Sequence, residues 1–127
     1  MGRAGRPIAW PTALALLASA SAANAQGDPA KGEKVVEKCK ICHALDEATN
    51  RMGPHLVGIL GRQAGTAEGF EYSDAMKESG VVWDDATLAA YLADPKGYIP
   101  GNRMFFPGLK KEEEIRDLLA HLHAQAK

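Results

Sequence analysis

Residues 39–43 read CKICH. Two thiols three positions apart, with an imidazole directly after the second, could work as a redox dithiol or supply half of a zinc site. They could also close a small disulfide or anchor a cofactor. The chain has no other cysteine. A thioredoxin-like dithiol needs a strand–helix–strand setting, and no alternating strand pattern is visible. Zinc needs a second ligand pair at finger-like spacing, and only His55, His121 and His123 remain. A disulfide suits an exported chain, but a bridge across so short a separation closes too small a loop to stabilise much. The remaining chemistry is covalent attachment of a c-type haem. The Cys39 and Cys42 thiols would add to two vinyl groups as thioethers, and His43 would lie under the iron as its proximal ligand.

Methionine opposite histidine raises the reduction potential and is the expected pair where electron transfer is the task. Met52 is close in sequence to His43 and poorly placed to reach the opposite face. Met76 falls inside a helical pattern. Met104 lies in YIPGNRMFFPG, boxed by Pro100, Gly101, Pro107 and Gly108, a loop able to present a thioether rigidly. His55 reads as a polar loop residue, and His121 and His123 come late in the last helix.

The elements that must position these groups begin after a leader. Arg3 and Arg6 precede the apolar, small-residue run IAWPTALALLASASA, and ANA follows at 23–25. This pattern predicts a secretory signal peptide over 1–25, cleaved before Gln26. The run is shorter than the roughly 20 residues of a spanning helix, and Pro11 interrupts it, so a membrane anchor fits less well. The arginines are not adjacent, so a general secretory route to the periplasm is expected rather than a twin-arginine one. Cleavage removes two positive charges from a chain of net charge −1, which leaves −3 on residues 26–127. That is one domain of mildly acidic balance, with no basic surplus for binding nucleic acid.

Within that domain Asp28 and Pro29 open a helix over 27–39. Ser73 and Gly80 bound a short one over 73–80. Leu88, Tyr91 and Leu92 mark a helix over 84–95 that Pro95 stops. Ile115, Leu118, Leu119 and Leu122 mark the last, over about 110–125, with Glu112–Glu114 near its positive end. Glycine- and proline-punctuated loops fill 53–69 and 95–108. The chain is therefore all-α, four or so helices with long loops. Loops that long in a small domain are expected only where they wrap something.

From about 27 to 125 the chain resembles the class I cytochromes c, of the mitochondrial cytochrome c and bacterial cytochrome c2 type. The resemblance rests on CKICH, GPHLVGILGRQAG, GFEYSDAMKESGVVW and YLADPKGYIPGNRMFFPG, in that order. It implies a small cytochrome c fold around one haem c per chain, with crossed terminal helices and Gly32 permitting close contact near Leu118. Residue by residue, it implies that the Pro54 carbonyl accepts the His43 ring N–H and that Met104 is the sixth ligand. Tyr91 would lie near the ligand sulfur. Arg62, Tyr72 and Trp83 would surround the propionates, and Phe106 would cover the haem edge. His55, Met76 and His121 depart from the asparagine, asparagine and tyrosine common in mitochondrial members, and Asn102 stands where threonine is common.

The resemblance further implies a soluble, monomeric one-electron carrier and not an enzyme. Its redox partners would be a bc1-type complex as donor and a terminal oxidase or photosynthetic reaction centre as acceptor. They would dock on basic residues near the haem edge, among Lys38, Lys40, Lys96, Arg103, Lys110 and Lys111. The alternative, a haem enzyme or sensor such as a weak peroxidase, needs a labile sixth ligand.

Overall fold

In the computed structural model, residues 2–12 and 27–126 are described. Most of the apolar run of the expected signal peptide, and its cleavage site, fall in 13–26, outside the described residues. Residues 2–12 are exposed and form neither helix nor strand.

Asp28 accepts the Ala30 N–H, and Pro29 takes the first helical position, where its missing N–H costs nothing. Helix α1 therefore runs Pro29–Lys40. Ser73 accepts the Met76 N–H and opens α2, Asp74–Glu78. Asp84 and Thr87 form a reciprocal capping box that opens α3, Asp85–Ala93. Helix α5, Glu112–Gln125, starts without a side-chain cap, but three glutamates fill its first turn, where the helix dipole favours negative charge.

One element differs from the sequence expectation. The pattern predicts a helix up to Pro95 and then a loop over 95–108. Instead α3 stops at Ala93, and Pro95 opens a further single turn, α4, Pro95–Tyr98. Proline cannot donate to the preceding turn but fits a first helical position. The Asp94 carboxylate accepts the Gly97 N–H at 3.1 Å and caps the new turn. The described residues thus hold five helices, one of them a single turn, and no named strand. A lone antiparallel bridge pairs Gln63 with Val82.

The terminal helices α1 and α5 pack together. Their crossing is close because Gly32 has no side chain: a Cβ there would run into the Asp117 carbonyl. Asp117, itself buried, accepts the Asp28 N–H at 2.8 Å across 89 positions of sequence. Val36 is fully buried, and Ile115, Leu118, Leu119 and Leu122 are the buried stripe that the helical spacing predicts. Lys31–Glu113 (3.9 Å) and Lys38–Glu114 (3.5 Å) bridge the two helices at the surface, where ion pairs add little beside apolar burial.

Candidate functional site

Helix α1 ends at the two cysteines. The N–H groups of Cys42 and His43 both bond the Cys39 carbonyl, at 3.1 and 2.9 Å. This tight turn holds both thiols and the imidazole at one helix end. The thiols are not joined to each other. Burial pushes the Cys39 thiol up to about 11, against the pull of Lys38, so it stays protonated near neutrality.

The Gly53 N–H bonds the Cys42 carbonyl at 2.9 Å and brings the 53–56 segment against the His43 ring. A Cβ on Gly53 would come within 2.7 Å of Nδ1, so only glycine allows this approach. His43 Nδ1 lies 2.6 Å from the Pro54 carbonyl. A carbonyl only accepts, so Nδ1 carries the proton and Nε2 keeps its lone pair. Burial lowers the His43 pKa and outweighs the Pro54 bond, with Arg62 and Arg51 adding to the lowering. The ring is therefore held neutral, in the tautomer that can bind a metal through Nε2.

Met104 comes from the loop after α4. Asn102, buried, anchors it: Nδ2 donates to the Pro95 and Ile99 carbonyls, both at 2.8 Å. Its Oδ1 accepts the Met104 N–H at 2.9 Å and the Tyr91 hydroxyl at 3.3 Å. The same hydroxyl lies 3.7 Å from Met104 Sδ. Burial raises the Tyr91 pKa to about 12, so the phenol remains a donor. Trp83 stacks at a tilt on Tyr91, with ring centroids 5.0 Å apart.

Arg62 and Trp83 are held side by side by backbone pairing. Trp83 N–H bonds the Arg62 carbonyl at 2.9 Å, and Gly61 N–H bonds the Trp83 carbonyl at 2.6 Å. The Arg62 guanidinium donates to the His55 carbonyl at 2.9 Å. The Tyr72 hydroxyl accepts the Ala67 N–H at 2.9 Å. Phe106 is half-buried.

All of Cys39, Cys42, His43, Pro54, Arg62, Tyr72, Trp83, Tyr91, Met104 and Phe106 line one cavity of about 520 Å³. The sequence reading thus nominates residues that the fold brings together. It missed two that the site depends on. Gly53 is required by its approach to His43, and Asn102 reads from sequence as a replacement for threonine that can still donate a hydrogen bond, without its place as the anchor of the Met104 loop. The signal for Asn102 was a lone amide in an apolar, turn-rich loop beside a candidate ligand. The departures leave a mark: His55 Nδ1 and His121 Nε2 are buried without hydrogen-bond partners, and Met76 is half-buried on the same cavity wall.

The donor set fits a covalently held haem. Two unbridged thiols, an imidazole with a free Nε2 and a braced thioether share one largely apolar cavity, with the Arg62 and Arg103 guanidinium groups among its lining. Among the described residues no three His, Cys, Asp or Glu side chains cluster as a metal site, so the zinc reading lacks its second ligand pair.

Comparisons with known proteins agree with this chemistry. The family model described as Cytochrome c matches residues 29–126. A cytochrome c2 of Rhodomicrobium vannielii is 49% identical over 112 residues, 87% of this chain and 89% of its own length. A cytochrome c2 of Blastochloris viridis is 44% identical over 110 residues, 86% of this chain and 87% of its own. The solved structure of cytochrome cH from Methylobacterium extorquens superposes with a TM-score of 0.73 at 44% identity, covering 77% of this chain and 99% of that one. The chain therefore belongs to the cytochrome c family, as an electron carrier with covalently bound haem c and not as an enzyme.

Proposed function

We propose that this protein is a soluble, monomeric, periplasmic carrier that takes single electrons from a bc1-type complex and delivers them to a terminal oxidase or reaction centre. Residues 1–25 would be removed on export, leaving 26–127 as one domain. His43 and Met104 would hold the iron, and Cys39 and Cys42 would hold the porphyrin. When bound, haem supplies a one-electron Fe(II)/Fe(III) couple.

The observation that carries this reading is the His43–Pro54 bond at 2.6 Å on the wall of the cavity that also holds Met104. The bond fixes the imidazole tautomer and ring plane. The Asn102 and Tyr91 contacts fix the thioether. A ligand pair held from both sides suits electron transfer, because little has to move when the charge changes. With His43 and Met104 both binding the iron, no position would remain for a peroxide or gas ligand, which the enzyme or sensor alternative needs. The apolar walls exclude water, while Arg62, Tyr72 and Trp83 offer N–H and O–H groups toward negative charge at the cavity edge.

A mass spectrum of the exported protein should give residues 26–127 plus one haem, with the colour surviving denaturation. The reduced spectrum should be unchanged by carbon monoxide. A ready carbon monoxide shift would sink the Met104 assignment, and a retained leader would sink the export assignment.

A further inference from the structure

A helix ends in carbonyls that its own turns no longer use. At the end of α1, three in succession are taken by one short segment. The Arg51 guanidinium donates through Nη1 to the Lys40 carbonyl at 2.8 Å and through Nη2 to the Ile41 carbonyl at 3.4 Å. The Gly53 N–H takes the next, that of Cys42, at 2.9 Å. Lys40 and Ile41 are the two residues between the cysteines. The fork therefore grips the link that sets how the two thiols stand relative to each other.

The segment that carries Arg51 is itself braced. The Arg51 N–H bonds the Gly53 carbonyl at 2.9 Å, and Asn50 Oδ1 accepts the His55 N–H at 3.1 Å. Asn50 Nδ2 also donates to the Glu68 carbonyl at 2.9 Å. Pro54, next in the chain, supplies the carbonyl that holds His43 Nδ1. Residues 40–43 and 51–54 are thus joined by backbone, by imidazole and by guanidinium. Exposed arginines are ordinarily solvated charges. Arg51 is exposed, yet both arms of its fork are committed. A planar guanidinium can span two carbonyls at once, and an ammonium lacks that fork. Its charge is uncompensated, since none of the ion pairs among the described residues uses it, and a helix C-terminus favours a cation.

We propose that Arg51 is a positioning residue for His43: its fork fixes the cysteine link against the segment that bears Pro54, and its fixed charge beside that link favours the reduced iron. Ferric iron carries one more positive charge than ferrous iron, so a cation held nearby weighs against oxidation. The inference rests on His43 as an iron ligand, as proposed above.

The test uses the haem-loaded protein and two readouts. One is hydrogen exchange of the Gly53 amide in the reduced state, with the Leu109 amide, bonded to the Leu92 carbonyl, as control. The other is the equilibrium constant for reduction by a one-electron mediator. Arg51→Met should speed Gly53 exchange about fivefold and leave Leu109 unchanged. It should also lower the equilibrium constant about threefold, which is about 30 mV at 59 mV per tenfold. Arg51→Lys keeps the charge without the fork, so the constant should stay near that of wild type while Gly53 exchange still rises about threefold. A merely structural arginine would move the exchange in both variants and the constant in neither. The inference fails if Gly53 exchange is unchanged in both variants, or if the constant for Arg51→Met equals that of wild type. If Arg51→Met does not accumulate, Arg51→Lys decides alone, and an unchanged Gly53 exchange rate there overturns the inference. A wild type whose reduced spectrum lacks the low-spin signature of an imidazole ligand overturns the His43 reading, and this inference with it. A normal wild-type spectrum with unmoved variants overturns this inference only.

Discussion

The Tyr91 hydroxyl lies 3.7 Å from Met104 Sδ while also reaching Asn102 Oδ1 at 3.3 Å. With Met104 as the proposed iron ligand, donation toward its sulfur would withdraw electron density from that ligand and favour the reduced iron. Tyr91→Phe should therefore lower the reduction potential. Taking a weak hydrogen bond as about 1 kcal/mol and a tenfold change as 59 mV, the shift is on the order of 40 mV. A redox titration that gives an equal or higher potential would remove Tyr91 from the tuning of this ligand.

Met104→Ala should keep the haem, since neither thioether is touched, but open one face of the iron. The potential should fall and carbon monoxide should bind the reduced protein. Persistence of the sulfur-to-iron band of the oxidised form, at the red end of the spectrum, would show that another thioether such as Met76 or Met52 is the ligand.

Asn102→Ala removes four hydrogen bonds from a side chain that is 4% exposed. It strands the Met104 N–H and leaves the Pro95 and Ile99 carbonyls with only the backbone N–H of Ile99 and of residue 102, respectively. The expected loss is about 2–4 kcal/mol in denaturant unfolding, together with earlier loss of the sulfur-to-iron band as pH is raised. Asn102→Thr should recover part of both. If Asn102→Ala retains the wild-type midpoint and the band, the loop is held by other contacts.

Gly32→Ala places a methyl group against the Asp117 backbone, which cannot swing aside as a side chain can. The α1–α5 crossing should open at a cost of about 1–3 kcal/mol or more. Thermal unfolding at neutral pH measures this. An unchanged Tm would mean that the two helices are free to slide apart at no cost.

Asp84 is the group for an acid test. Its bonds from the Thr87 backbone and side chain hold its carboxyl below the ordinary value of 3.8. A carboxylate with a depressed pKa adds stability that is complete above 3.8 and is lost as pH falls through the folded-state value. Asp84→Ala should lower the Tm by a few degrees at pH 7, and the gap from wild type should close as pH drops below 3.8. A gap independent of pH would assign the effect to packing instead of the charged cap.

The candidate ligands and the helices are legible because each leaves a local mark: CKICH in five residues, caps at Asp28, Ser73 and Asp84, and a 3.6-residue stripe on α5. Helix α4 is not, because a proline reads equally as the end of one helix and the start of the next. Asp94, which could cap either, decides it only once Gly97 folds back onto its carboxylate. Asn102 escaped because its four partners come from three separate places in the chain. The resemblance put Arg62 and Trp83 around the propionates, but the backbone bonds that set them side by side join residues 21 and 22 apart in a region with no strand periodicity. The buried, unpaired nitrogens of His55 and His121 are likewise invisible without tertiary contacts.

The bond between the Asp28 N–H and the Asp117 carboxylate ties the start of the domain to its last helix. On the export route proposed above, a chain crossing N-terminus first would deliver Cys39 and Cys42 before α5. Until α5 arrives, the cavity lacks the wall made by Leu118 and Leu122, and α1 lacks the helix that clasps it. The thiols would then be reachable on an unfinished protein, and the clasp would come last, closing the loop with the largest entropy cost. Attachment of the cofactor and completion of the fold would be separate steps, the second waiting on the far end of the chain.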